Sequence, residues 1–174
     1  MRAWRPVSFI VGTGVWWVIG DAYHDVERKS VFEQARKRAD ELKKPLVNYG
    51  CGLDTHPLLR SIAERSDVNI DIEPRNFPNF MLVQRNGTMR LPFEEKSTVI
   101  YCAHTLEHVD HPELLLKEFE RISDDVYIIV PNPIFPQTWL ASSHKRVFIG
   151  SSYVENPQRI AYPILIGMFL LTLL

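Results

Sequence analysis

The stretch Pro45–Asp71, PLVNYGCGLDTHPLLRSIAERSDVNID, decides the fold of this chain. An apolar run ends at Gly50-Cys51-Gly52, a polar turn and a helical segment follow, and a second strand-like run closes on Asp71. Glycine lets backbone approach a ligand closely, and the start of a helix offers unpaired N–H groups. An acid about twenty residues after such a turn suits the hydroxyls of a ribose. The stretch therefore predicts a site for a nucleoside-containing cofactor.

Strand and helix patterns alternate along the central part of the chain. β-compatible runs lie at 46–49, 68–72, 80–84, 98–102 and 126–130, and helical patterns lie at 56–65 and 112–122. Strands that alternate with helices form parallel sheets covered by helices. The sequence therefore predicts a Rossmann-like α/β sheet with helices on both faces.

The composition argues against a nucleic-acid-binding protein and against a protein held together by zinc or disulfides. The 174 residues are 45% apolar and carry a formal net charge of −1, which suits one compact domain. No basic excess favours nucleic acid as a partner. Cys51 and Cys102 make neither a CxxC zinc pattern nor a dense disulfide framework. We therefore expect a reducing compartment, no metal site and no nucleic acid.

Both ends of the chain are strongly apolar. Val7–Gly20 and Ile160–Leu174 contain no charged residue, yet each is shorter than the roughly 20 residues of a membrane-spanning helix. Trp16 and Trp17 suit the interfacial zone of a bilayer. We expect at least one end to contact a membrane, on its cytoplasmic side, or a protein partner. A signal peptide cleaved near Gly20 is a third interpretation.

The charged residues 21–29 predict a linker behind the N-terminal apolar segment. Ser30 and Glu33 form a capping-box pattern at the start of an amphipathic helix, which Pro45 ends. The predicted organisation is an apolar segment and linker at 1–29, a folded domain at 30–150, and a linker with an apolar tail at 151–174.

Four motifs give the chain a family resemblance. They are VNYGCG at 47–52, NIDIEP at 69–74, LPF at 91–93 and LEHV at 106–109. In this order and spacing the sequence resembles the class I S-adenosylmethionine-dependent methyltransferases, in particular their small, divergent members. The resemblance covers about half of the chain, from Pro45 to Pro133, and implies S-adenosylmethionine as the cofactor.

The resemblance also implies which residues hold the cofactor. Gly50, Cys51 and Gly52 would pass under its methionine part, and Asn48 before them would meet its amino group. Asp71 would take the ribose hydroxyls, with Ile72 beside it. The remaining cofactor contacts implied are Asn86, which would meet the adenine edge, and Cys102, which ends the fourth strand.

Methyl transfer needs alignment of acceptor, methyl and sulfur and, for some acceptors, removal of a proton. His104, His144 and Asn132 are the candidate catalytic residues, because an imidazole acts as a base near neutral pH and Asn132 follows the fifth strand. His108 is expected instead to pack at the start of a helix. The string His104–His108 also fits the zinc-protease pattern H-x-x-E-H, and the two cysteines allow a redox interpretation.

Departures from the family pattern leave two functions open. Many relatives have an acid where Asn48 stands and a small residue where Asp54 stands, and only His144–Ile149 remains for the usual C-terminal hairpin. The first function is a methyltransferase acting on an unknown, membrane-associated acceptor. The second is a catalytically inactive structural subunit of a membrane-bound assembly that keeps the fold as a scaffold.

Overall fold

The computed structural model describes residues 4–83, 90–150 and 152–164, with side chains from residue 15 onward. The chain forms two compact units. Asp25–Val130 is the sheet unit, and Met1–His24 together with Pro131–Leu174 is the terminal unit. These bounds differ from the boundaries at residues 30 and 150 that the sequence predicts.

A five-stranded parallel sheet forms the centre of the sheet unit. Its strands are, in chain order, β1 (Leu46–Tyr49), β2 (Val68–Asp71), β3 (Phe80–Leu82), β4 (Thr98–Ala103) and β5 (Ser123–Ile129). Their order across the sheet is β3-β2-β1-β4-β5, and every neighbouring pair is parallel. The predicted Rossmann-like α/β fold is confirmed.

The first helix, α1, runs without a break from Trp4 to Leu42. The predicted linker at 21–29 and the predicted N-cap at Ser30 are therefore wrong. Residues 21–29 contain neither Gly nor Pro, and Arg28 pairs with Asp25 at 2.9 Å, an i,i+3 contact that favours a continuing helix. The change from apolar to charged residues at position 21 therefore does not mark the end of the helix.

Helices cover both faces of the sheet. On one face Phe32, Ala35 and Ala39 of α1 pack with sheet residues and with Ile62 of α2 (Pro57–Glu64). The Phe32 and Tyr101 rings meet edge to face at 5.3 Å. On the other face α3 (Pro112–Ile122) presents Phe119 to the Tyr49 ring at 5.2 Å. These apolar contacts hold the sheet rigid below its carboxyl edge.

The chain reverses its direction of winding between β1 and β4. These strands are neighbours, with Tyr49 in register with Cys102, but β2 and β3 lie on one side of them and β5 on the other. In open α/β sheets a ligand binds in the crevice outside the carboxyl ends of the strands at such a switch point. The switch point therefore places a candidate site at the turns after β1 and β4.

The terminal unit has its own small elements. They are α4 (Pro136–Leu140), an antiparallel hairpin of β6 (Arg146–Ile149) and β7 (Ser152–Glu155), and a helical stretch at 158–164. The hairpin is a separate two-stranded sheet, so within the described residues the parallel sheet ends at β5. In that part of the chain no helix is long and apolar enough to span a membrane.

Candidate cofactor site

The glycine turn after β1 lies against the end of β2. Gly50 and Gly52 both have φ of +73°, a conformation that side chains with a Cβ rarely adopt. The N–H groups of Gly50 and Cys51 donate to the Ile70 carbonyl at 2.8 and 3.1 Å. The turn is therefore held by backbone bonds to the strand that carries the acid.

Asp71 is the acid at the end of β2, and only 8% of its surface is exposed. One carboxylate oxygen accepts the Gly52 N–H at 3.0 Å, and the other accepts the Glu73 N–H at 3.1 Å. Arg75 Nε lies 3.7 Å from the first oxygen. The acid is thus held in place at the sheet edge, beside the glycine turn, where two partly buried oxygens can accept hydrogen bonds from a diol.

Two side chains lie against the glycines of the turn. A Cβ added to Gly50 would lie 2.0 Å from Thr105 Oγ1, and one added to Gly52 would lie 2.8 Å from Leu59 Cδ1. The Thr105 hydroxyl donates to the Ala103 carbonyl at 3.2 Å. The space beside Gly50 that the missing Cβ leaves is therefore occupied by the Thr105 side chain. The residues present fit S-adenosylmethionine at its ribose end, where Ile72 beside Asp71 is exposed.

Asn48 is occupied inside the sheet. Its Nδ2 donates to Asn69 Oδ1 at 3.0 Å across paired positions of β1 and β2. Asn69 Nδ2 in turn donates to the carbonyls of Ala63 and Pro78, both at 2.9 Å. The predicted contact of Asn48 with the cofactor amino group stays a prediction, and its amide nitrogen already has a buried partner.

Both cysteines are buried and free. Burial raises the pKa of Cys51 to about 12, with the nearby Asp71 charge adding to the effect, and burial raises the pKa of Cys102 to about 12. Both are protonated thiols near neutral pH, whereas redox chemistry and metal binding need thiolates. Their apolar character suits packing next to the turn, and the role of Cys102 in binding the cofactor stays a prediction.

His104 directly follows β4 and has a φ of +53°, and its N–H donates to the Ile129 carbonyl at 2.9 Å. Its Nδ1 lies 3.8 Å from the Glu107 carboxylate, and His108 Nε2 lies 3.7 Å from the same oxygen. A three-residue 3₁₀ helix, Leu106–His108, follows. The zinc-protease interpretation is wrong, because no helix runs from His104 through His108.

Glu107 is fully buried between the two imidazoles, and neither of its carboxylate oxygens has a hydrogen-bond partner among the described residues. Burial raises the pKa of Glu107 from 4.5 to about 8, and its own backbone N–H and then the charge of Arg28 oppose the shift. A carboxyl group of this kind keeps its proton near neutral pH. His104 therefore faces a neutral acid rather than a fixed negative charge.

The LPF motif is bound to α3 by one ion pair. Arg121 donates to the carbonyls of Leu91 and Phe93, both at 3.0 Å, while Glu118 accepts the Leu91 N–H at 2.7 Å. Arg121 and Glu118 also pair with each other at 2.5 Å. Asn86, the predicted adenine contact ahead of this motif, lies outside the described residues.

The other two candidate catalytic residues belong to the terminal unit. Asn132 Oδ1 accepts the Ile134 N–H at 3.0 Å, and the Asn132 N–H donates to His24 Nε2 at 3.3 Å, which is ordinary turn chemistry. His144 Nδ1 lies 2.8 Å from the Thr138 carbonyl. Their catalytic roles stay predictions.

Sequence reasoning missed three residues of this region: Thr105, Asn69 and Glu107 as a buried acid. Thr105 directly follows His104, but nothing in the sequence shows that its side chain lies against Gly50, 55 positions earlier. The sequence pattern of β1 and β2 does not distinguish an Asn48 side chain that contacts a ligand from one that contacts Asn69. Glu107 lies between Leu106 and His108, and nothing in that local sequence signals its burial, because Glu is almost never fully buried unless it is paired.

Comparison with known proteins agrees with the fold and the order of the motifs. The family model described as "Methyltransferase domain" matches residues 34–125, which is 92 of the 174 residues and more than half of the chain. No curated protein and no solved structure matches the chain significantly. The matched segment contains β1 to β4, α2, α3, the first residues of β5 and most of the site described above. The chain therefore belongs to the methyltransferase-domain family, a family of class I S-adenosylmethionine-dependent methyltransferases.

Proposed function

We propose that the chain is an S-adenosylmethionine-dependent methyltransferase. One observation carries the proposal: the glycine turn after β1 and the acid that ends β2 are hydrogen-bonded together, Gly52 N–H to Asp71 at 3.0 Å. They lie at the carboxyl edge of the sheet and beside its switch point, where open α/β sheets bind nucleosides. A family model for methyltransferase domains that matches the same segment supports the proposal.

Bound S-adenosylmethionine would supply a methyl group already activated by its sulfonium. Asp71 would accept hydrogen bonds from the ribose hydroxyls, and the exposed side chain of Ile72 would cover an apolar part of the nucleoside. The turn at Gly50–Gly52 would bring backbone close to the ligand. His104 is the candidate for taking a proton from the acceptor, because it directly follows β4 at the same edge.

The acceptor we propose is membrane-associated, with the chain attached to the cytoplasmic side of the bilayer through its apolar ends. Support comes from Val15–Ile19 in α1, five consecutive apolar residues that are each at least 40% exposed. Five consecutive residues cover the full circumference of a helix. A helix that is apolar all round is covered by lipid or by protein.

Isothermal titration calorimetry with S-adenosylmethionine tests the cofactor. Purified protein should bind it, and Asp71→Asn should weaken binding about ten- to a hundredfold, since a hydrogen bond to a charged group is worth about 1.5–3 kcal/mol. The matched control is Glu73→Gln, two residues away and exposed, which should leave the affinity unchanged. Absence of binding at millimolar cofactor, with the protein folded, contradicts the proposal.

A non-catalytic scaffold is the second candidate. Two contacts favour it: Thr105 lies where the turn would otherwise approach a ligand, and Asn48 is committed to Asn69. The same titration separates the two functions, because a scaffold predicts no heat of binding. A Thr105→Gly variant sharpens the comparison, since it should raise the affinity of an enzyme whose turn is partly covered and should leave a scaffold without binding.

A further inference from the structure

We infer that an apolar groove in the terminal unit holds the hydrocarbon chain of an anionic membrane lipid. The inference rests on the membrane contact proposed above and adds to it a binding site and the chemical class of its ligand. It is independent of S-adenosylmethionine, because every residue that carries it belongs to the terminal unit.

The groove lies between α4 and the helical stretch at 158–164. Its volume is about 270 Å³, near the lower end of the range for small-molecule sites. No charged side chain lines it; the lining residues are Pro136, Trp139, Leu140, Ile160, Ala161 and Ile164. A ligand portion that fits this lining must itself be apolar, because water or a polar group would lose hydrogen bonds there.

Polar atoms around the groove are committed elsewhere in the same unit. Trp139 Nε1 donates to the Pro133 carbonyl at 2.6 Å, and the Tyr162 hydroxyl donates to the Leu140 carbonyl at 3.1 Å. Gln158 Nε2 donates to the His144 carbonyl at 2.9 Å. Neither Trp139 nor Tyr162 therefore has its donor available for a hydrogen bond to a peptide backbone. A simple hydrocarbon chain, which needs no such bond, fits the groove better than a polypeptide segment.

Charge in the terminal unit favours an anionic lipid. Five basic residues and two acidic residues, Asp21 and Glu155, give this unit a formal charge of +3 with histidine neutral, although the whole chain is −1; the basic residues are Arg2, Arg5, Lys145, Arg146 and Arg159. A net positive charge is attracted to the negative surface of a cytoplasmic leaflet. Arg146 does not add to this attraction, because it is buried and paired with Glu155 at 3.3 Å. The positive charge of the terminal unit therefore favours an anionic lipid surface.

The terminal unit exposes further apolar residues outside the groove. Ile160 and Ile164, which line the groove, are 48% and 57% exposed, and Ile134 of the same unit is 68% exposed. Together with Val15–Ile19, this unit shows water more apolar surface than scattered single residues would. Trp16 and Trp17 are the residue type that lies at the boundary between headgroups and acyl chains. A lipid chain can enter such a groove directly from that boundary.

Photocrosslinking tests the inference. Vesicles of phosphatidylcholine with 30 mol% phosphatidylglycerol, the latter carrying a diazirine at the end of one acyl chain, are mixed with the full chain and irradiated. Mass spectrometry should find adducts on 136–140 and 160–164, and co-flotation should show binding that is lost in phosphatidylcholine vesicles. Filling the groove with Ala161→Phe should reduce these adducts at least fivefold while co-flotation persists.

A matched control keeps the comparison specific. Ile149→Glu changes an isoleucine of the same unit that is 49% exposed and does not line the groove, and Ile164→Glu makes the same change within the groove. Only the second should remove the adducts. Co-flotation with adducts confined to 1–20 overturns the groove while leaving the membrane contact. Absence of co-flotation overturns both, and crosslinks between two protein copies assign the groove to a dimer instead. None of these outcomes bears on cofactor binding, which the calorimetry measures separately.

Discussion

The backbone N–H of Gly52 donates to the Asp71 carboxylate at 3.0 Å, across the carboxyl ends of two neighbouring strands. This bond joins the two features that the sequence predicts as the site, and it makes the position of the acid depend on the shape of the turn. The Gly50 and Cys51 N–H groups bond to Ile70, one residue before the acid. Substitutions within the turn should therefore affect both stability and binding.

Gly50→Ala should destabilise the fold by more than its backbone strain alone. The added Cβ would lie 2.0 Å from Thr105 Oγ1, and overpacking costs about 1–3 kcal/mol. Gly150→Ala is the matched control, because Gly150 also has positive φ but open space around it. Urea unfolding should show the larger loss for Gly50→Ala, and adding Thr105→Gly should recover part of it. Equal losses for the two glycines would contradict a contact with Thr105.

The buried pair of Asn48 and Asn69 predicts which of two alanine substitutions destabilises the fold more. Asn48→Ala leaves one amide oxygen of Asn69 without its partner, whereas Asn69→Ala removes the bonds to Asn48, Ala63 and Pro78 together. An unsatisfied buried polar group costs about 1–3 kcal/mol, so Asn69→Ala should be the more destabilising change in chemical unfolding. Gln34→Ala, on the exposed face of α1, should be close to neutral. The reverse order would contradict a stabilising role for the bonds of Asn69 to Ala63 and Pro78.

Glu107 should make the fold less stable as the pH rises. Its native pKa of about 8 lies above the unfolded value of 4.5, so between these values the native state holds a proton that the unfolded chain has lost. Stability from this group is fully present below about pH 4.5 and is lost as the pH rises toward 8.

The Glu107→Gln variant cannot lose a proton, so it isolates this contribution. From pH 5 to pH 8 the wild type should lose about 1–4 kcal/mol of unfolding free energy relative to this variant, an amount set by 1.36 kcal/mol per pKa unit. Glu113→Gln, at an exposed acid of α3, should follow the wild type. Parallel stability curves for the wild type and Glu107→Gln would rule out a raised pKa.

Arg121→Met should loosen the LPF motif without unfolding the sheet. The guanidinium holds the Leu91 and Phe93 carbonyls, and it lowers the pKa of Glu118, whose carboxylate accepts the Leu91 N–H. Hydrogen exchange measured by mass spectrometry should become about tenfold faster at residues 90–95, as expected for local opening. Arg60→Met removes an exposed ion pair with Glu64 and should change nothing in this segment. Unchanged protection at 90–95 would show that other contacts hold the motif.

Sequence patterns by themselves determined the strands, their order along the chain and the parallel α/β architecture. The glycine turn, the acid after β2 and the prolines that begin α2 and α3 are local signals: they depend on which backbone conformations a residue allows and on the period of apolar side chains. The predicted β1 and α3 match the structure residue for residue. Such signals need no knowledge of distant contacts.

Tertiary structure alone decided the rest. It paired Asn48 with Asn69, set Thr105 against Gly50 and buried Glu107 between His104 and His108. Each of these depends on which side chains meet after the chain has folded, and local pattern does not encode that. A buried amide or carboxyl gains or loses kilocalories according to its partners. The sequence therefore determined the architecture of this protein, while packing decided how its site is filled.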